Sequence, residues 1–457
     1  MPDMRRVCIL LHRYAGLAMA FFLVVAGLTG SVLAFYHELE CWLNPQLFTV
    51  PVRATPPLDP LILRERAEAL VPQARVDSVS LERRPDEAFI ARLAPRTDPA
   101  TGRPYPLRHD QLFIDPYSGE KLGSRRWGEV SLARENLLPF FYTLHYKLAL
   151  PGEIGTWIFG IVALLWMLDC FVGFYLTLPR RNKRPHPTVS PGGKRERDAH
   201  PSGMESTIGL YNPRPNGAGA RRSFWSRWKL AWQVKFGAGP YRINYDLHRA
   251  AGLWVWAMLF VLAWSGVAFN LGDQVYTPVM KLLFEMRDEE HPKRPQPLDA
   301  PPLSWREAHT VGQRLMAEQS VRHGFSIERE TWLSYDRDSG VYYYAVKSSR
   351  DIGTDGRTRI AFDANTGALK ILDLPTGQYA GDTVTHWLTS LHMAKVFGLP
   401  MQVFVCLMGL TVAMLSVTGV IIWSRKRSAR RTRLPSATPM PASRGSPIHH
   451  IGTVPDP

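Results

Sequence analysis

The chain has 457 residues, 45% of them apolar, a formal charge of +15 and a mean hydropathy of −0.14. That average is too polar for a transporter-like bundle, yet it hides a few segments of extreme hydrophobicity, so two solvents are expected. The basic excess does not indicate nucleic acid, because it is concentrated in segments flanking the apolar runs.

Mostly apolar runs occupy 16–36, 154–178, 252–271 and 399–423. Each approaches the roughly 20 residues that cross about 30 Å of hydrocarbon, which predicts four transmembrane helices. The first follows Arg5 and Arg6 as a signal peptide would, but it exceeds the usual ~7–15 apolar residues, so a retained helix is expected. The resulting division is 1–36 (N-terminus and first helix), 37–150 (external), 151–178 (second helix) and 179–247 (basic linker). It continues with 248–271 (third helix), 272–395 (external), 396–424 (fourth helix) and 425–457 (basic tail). Residues 179–246 hold fourteen Lys/Arg against four Asp/Glu, whereas 37–150 hold fifteen of each and 273–395 fifteen against seventeen. By the positive-inside rule the N-terminus, linker and tail face the cytoplasm of a bacterial-type inner membrane, and the two large segments lie outside it. Residues 185–225 read as a flexible Pro/Gly/Ser/Arg-rich linker and the tail beyond Arg433 as disordered.

The chain reads as one unit written twice. The first and third helices open with Leu11-His12-Arg13 and Leu247-His248-Arg249, and each span carries a small-residue step, Thr29-Gly30 and Ser265-Gly266. An amphipathic stretch follows in each external segment, at 60–70 and 305–317. Strand-like residues then flank Asp115-Pro116-Tyr117-Ser118-Gly119 and Asp363-Ala364-Asn365-Thr366-Gly367, which are read as structural turns. Leu144-His145 and Leu391-His392 close the units before the chain re-enters the membrane. The expected fold is therefore a four-helix membrane bundle from a tandem duplication, carrying two external α+β modules.

Four histidines occupy equivalent places, His12 with His248 on the cytoplasmic side and His145 with His392 on the outer side. Imidazoles from two helices can bind iron axially from both faces of a porphyrin. The membrane's thickness keeps the two sides from sharing one iron, so two haems are expected, one per leaflet. Cys8, Cys41, Cys170 and Cys406 form no disulfide framework, and the absence of Cys-x-x-Cys-His excludes covalent haem. The haems would be b-type. His386, six residues before His392, is an alternative ligand or a group for proton or substrate handling. His37 and His109 read as surface residues, and His449 and His450 as incidental. Asp169 is the one charge inside a span.

With these motifs in place, the chain resembles the PepSY-associated transmembrane helix family from about residue 8 to 427, including iron-regulated inner-membrane proteins similar to ferrisiderophore reductases. The resemblance implies PepSY-like external modules and a haem-dependent oxidoreductase. Electrons from a cytoplasmic or quinol donor would reach a periplasmic ferric siderophore through the His12/His248 and His145/His392 haems. No Gly-x-Gly-x-x-Gly fingerprint supplies a flavin or nicotinamide site, so the donor is another molecule. The basic stretch 221–242 is expected to meet anionic lipid. A membrane-anchored binding or regulatory protein would leave the four histidines unexplained. An iron-chelate permease is disfavoured by four helices and the shortage of buried charge.

Overall fold

The structure, a computed structural model, describes residues 3–180, 223–287 and 293–431. Most of the expected linker, the tail beyond Arg433, and His449 and His450 lie outside the described residues. In chain order, α1 (Met4–Leu33) leads through α2 (Tyr36–Leu43) and α3 (Pro45–Phe48) to α4 (Pro60–Leu70). Six strands follow: β1 (Ala74–Arg75), β2 (Ser78–Ser80), β3 (Phe89–Arg92), β4 (Ala94–Pro95), β5 (Gln111–Ile114) and β6 (Lys121–Arg125). Next come α5 (Leu137–Lys147) and α6 (Ile154–Thr177), then α7 (Phe224–Trp228), α8 (Pro240–Trp254), α9 (Trp256–Asn270) and α10 (Thr277–Leu283). The chain continues with α11 (Trp305–His323), β7 (Ile327–Asp336), β8 (Val341–Ser348), β9 (Thr358–Asp363), β10 (Leu369–Asp373), α12 (Ala380–His392) and α13 (Leu399–Arg431).

Among the described residues α1, α6 and α13 are each long and apolar enough to cross a membrane. A fourth span exists if α8 and α9 are taken together, although they meet at 72°. The segment expected as one helix over 248–271 is therefore broken at Val255. Composition explains the break: α8 carries Arg242, Asn244, Asp246 and Arg249, whereas α9 has no charged residue. At 15 residues, α9 by itself reaches about 22 Å.

In the bundle α1 packs on α13 and α6, α6 packs on α9, and α8 packs on α13. Small residues allow the closest approach. A Cβ added to Gly27 would meet the Gly409 carbonyl oxygen at 2.5 Å, and Ser31 Oγ donates to the Cys406 carbonyl at 2.8 Å. This small-xxx-small pairing gives two apolar helices backbone contact where lipid supplies no hydrophobic drive. The Arg5 guanidinium donates to the Leu176 and Leu178 carbonyls, closing the end of α6 against the start of α1. Thus the start of α1 and the ends of α6 and α13 share one end of the bundle with α8. All ten strands belong to the segments leaving its other end.

At that other end the strands form antiparallel sheets β1-β4, β3-β5-β6 and β10-β9-β8-β7-β2. The five-stranded sheet takes β2 from the first external segment, with Val79 opposite Leu333. Leu61, Val79 and Leu81 share one apolar core with Leu333, Tyr342, Ile360 and Phe362. The two external segments are consequently joined through a common sheet and core. Both expected turns are present. Asp115 Oδ1 accepts from the Tyr117 and Ser118 amides, Asp363 Oδ1 accepts from Asn365 and Thr366, and Gly119 and Gly367 take φ of 74° and 71°.

A buried ion pair ties the membrane helices to this layer. Arg125 on β6 donates to Glu40 on α2 at 2.9 Å, to Gln111 at 2.7 Å and to the Glu135 carbonyl at 2.8 Å. Both charges are at most 4% exposed, and every bond is charge-assisted. The bridge fixes the elbow leaving α1 against the approach to α5.

Candidate functional site

His12 lies within α1 rather than at its start, and His248 lies in the amphipathic helix α8. Their ring centres are 6.1 Å apart. At the opposite end of the bundle, His145 near the end of α5 and His392 at the end of α12 bring their rings to 6.2 Å. His145 reaches α1 at Ala26, roughly 21 Å beyond His12 along the helix at its usual rise. The four histidines thus form two separate pairs.

Each ring is held through Nδ1. His12 Nδ1 meets both oxygens of Asp169 on α6, at 3.0 and 2.9 Å. His248 Nδ1 faces the Leu415 carbonyl and Thr418 Oγ1, both at 3.0 Å. His145 Nδ1 faces the Ala26 carbonyl at 3.0 Å and Thr29 Oγ1 at 3.1 Å, and His392 Nδ1 faces Ser265 Oγ at 2.5 Å. Carbonyl and carboxylate oxygens only accept, so three of the rings must carry the Nδ1 proton. Ser265 Oγ already donates to the Val261 carbonyl at 2.7 Å, so it too accepts from its histidine. The same tautomer follows in all four rings, with the Nε2 lone pair free to bind a metal. None of the four Nε2 atoms has a hydrogen-bond partner among the described residues.

The ring spacing suits a shared metal. With about 2 Å per metal–nitrogen bond and roughly 1 Å more to each ring centre, trans imidazoles on one metal sit ~6 Å apart. No group of three or more His, Cys, Asp or Glu side chains able to hold a metal occurs among the described residues.

His386 stands apart from both pairs. It is 5% exposed, its Nε2 has no partner, and it lines a narrow cleft with Gly353, Asp355, Arg357 and Lys395. Burial and the positive charge of Arg357 hold its imidazole below the usual range. His37 is exposed and meets Glu87 at 3.1 Å.

Sequence reasoning found the four rings but not their partners. A signal was present: Thr29-Gly30, Ser265-Gly266 and Thr418-Gly419 are each a hydroxyl followed by glycine inside an apolar helix. In each step the hydroxyl takes a histidine Nδ1, and Gly30 and Gly419 also lie beneath His145 and His248.

No curated protein matches the chain. A family model, described as the PepSY-associated TM region, matches residues 9–203 and 215–426, nearly the whole length, and the chain belongs to that family of membrane proteins.

Proposed function

We propose that the chain is a haem-dependent oxidoreductase of a bacterial-type inner membrane, passing electrons to a periplasmic ferric chelate such as a ferrisiderophore. The observation that carries this reading is the two histidine pairs, spaced 6.1 and 6.2 Å, with Nδ1 anchored and Nε2 free in every ring. Two imidazoles with no third His, Cys, Asp or Glu able to complete a metal site among the described residues would suit an iron carried in a porphyrin. His12/His248 and His145/His392 would each hold one haem b, and His386 would hold none. When bound, such a haem would supply one-electron redox chemistry, and two imidazoles on its iron would favour electron transfer over oxygen chemistry. The protein's part is to fix the rings, keep water from the apolar bundle and set the depth of each centre. One electron converts the chelated ferric ion to ferrous, whose lower charge weakens its hold on hard oxygen donors.

The same reading makes the chain a tandem repeat of helix, external PepSY-like α+β module and helix, with the domain limits given above except that the third membrane segment is the broken pair α8 and α9. The family match in two stretches supports the repeat. The basic N-terminus, linker and tail would be cytoplasmic. An unidentified cytoplasmic or quinol donor would supply electrons there, and the 221–242 stretch would meet anionic lipid. Exposed Trp225 and Phe236 beside Lys229 and Lys235 support that lipid contact.

The test is a reduced-minus-oxidised spectrum with pyridine haemochrome quantification on the detergent-purified, haem-replete chain. Two haems per chain are expected. His145→Ala or His392→Ala should each lose one, His12→Ala or His248→Ala the other, and His386→Ala neither. A folded wild-type chain without haem would overturn the reading in favour of a membrane-anchored binding or regulatory protein.

A further inference from the structure

The two histidine pairs differ in one respect that fold similarity alone does not require. His12 has an anionic Nδ1 partner, Asp169, whereas the other three rings meet backbone carbonyls and hydroxyls. Asp169 has no Lys or Arg partner among the described residues, although it sits inside α6, in an apolar span. The neighbouring carboxylate on α8, Asp246, is neutralised by Arg242 at 2.8 Å and Arg249 at 2.9 Å. An uncompensated carboxylate in a low-dielectric bundle is costly unless a positive charge stands near it. Among the described residues its hydrogen-bonding partner is the imidazole proposed to bind iron.

We propose that Asp169 is the counter-charge that sets the His12/His248 centre at a lower reduction potential than the His145/His392 centre. The inference rests on the haem reading above. A ferric bis-imidazole porphyrin core carries one positive charge, and the ferrous core carries none. Asp169 balances the ferric state and is left unbalanced when one electron is added, so it opposes reduction at that centre. Its bond to Nδ1–H adds to the effect by making His12 a more basic ligand, which also favours ferric iron. Thr29 and Ser265, being neutral, give the outer pair no such bias. The difference directs electrons from the Asp169 end of the bundle to the end bearing the sheets.

The experiment is a spectroelectrochemical titration of the purified full chain and of Asp169→Asn, which keeps an acceptor of similar shape but removes the charge. The wild type should titrate in two steps, the lower surviving in His392→Ala, which retains His12 and His248. In Asp169→Asn the lower step should move toward the reduced form at least tenfold, about 59 mV for one electron, while the upper step stays in place. Asp169→Glu should restore the lower value. An unmoved lower step in a two-haem Asp169→Asn protein would overturn the inference. So would finding that the step surviving in His392→Ala is the upper one, a result that holds even if Asp169→Asn loses a haem. Absence of haem from the wild type would instead refute the haem reading itself.

Discussion

Three glycines lie beneath three of the four histidines, and they make a graded steric series. A Cβ added to Gly30 would sit 2.9 Å from His145 Cε1 and 3.4 Å from its Nδ1. At Gly419 the nearest approach is 3.3 Å, to His248 Cε1, and at Gly173 it is 3.5 Å, to His12 Cε1. Ordinary contact begins near 3.4 Å, so Gly30→Ala forces the His145 ring back by about 0.5 Å or more while its Nδ1 bonds to Ala26 and Thr29 resist. Overpacking of this kind costs about 1–3 kcal/mol, and replacing a mid-helix glycine returns roughly 0.5–1 kcal/mol. Gly30→Ala should therefore destabilise by about 0–2.5 kcal/mol and perturb the His145/His392 centre. Gly173→Ala should be neutral or slightly stabilising, with Gly419→Ala between them. Thermal unfolding in detergent, read beside haem content, would rank the three. Wild-type stability and cofactor content in Gly30→Ala, or greater damage from Gly173→Ala, would refute the packing argument.

Arg125→Met removes one partner of a fully buried ion pair and leaves Glu40 stranded at 0% exposure. A loss of about 3–5 kcal/mol is expected, measured by chemical unfolding, and the double change with Glu40→Leu should recover much of it. In the external layer, burial alone would raise the Glu330 carboxyl. Hydrogen bonds from His309, Tyr344 and Gln313 more than offset this and hold it at about 2. Because its folded value is depressed, the stabilisation is present above the ordinary value near 4.5 and fades as pH falls toward 2. Glu330→Gln should lower the melting temperature at neutral pH and flatten its fall between those limits. An unchanged slope would show that other carboxylates carry the acid sensitivity.

Length and hydropathy locate the membrane segments because crossing hydrocarbon is a local demand on composition. The Asp-x-x-(Ser/Thr)-Gly turns were legible for a similar reason: their hydrogen bonds close within a few residues. The histidine pairing could be expected from repeated position alone, since equivalent helices of the two units run in the same direction and carry matched residues at matched depths.

Three features needed the assembled molecule. The break at Val255 leaves a continuous-looking run as two helices at 72°, because α8 keeps a charged face that α9 lacks. β2 pairs with β7 across more than 250 residues of chain, a choice made by the shared core of Val79 and Leu333 and not by either strand's own pattern. Asp169 and His12 are 157 residues apart, and only the packing of α6 on α1 turns an odd charge in an apolar run into an imidazole partner. The sequence by itself determined which segments are apolar enough to cross a membrane and which histidines hold equivalent places, because both are properties of single residues and short periods. Tertiary structure alone decided which acceptor holds each ring, since hydrogen bonds between helices depend on how the helices pack.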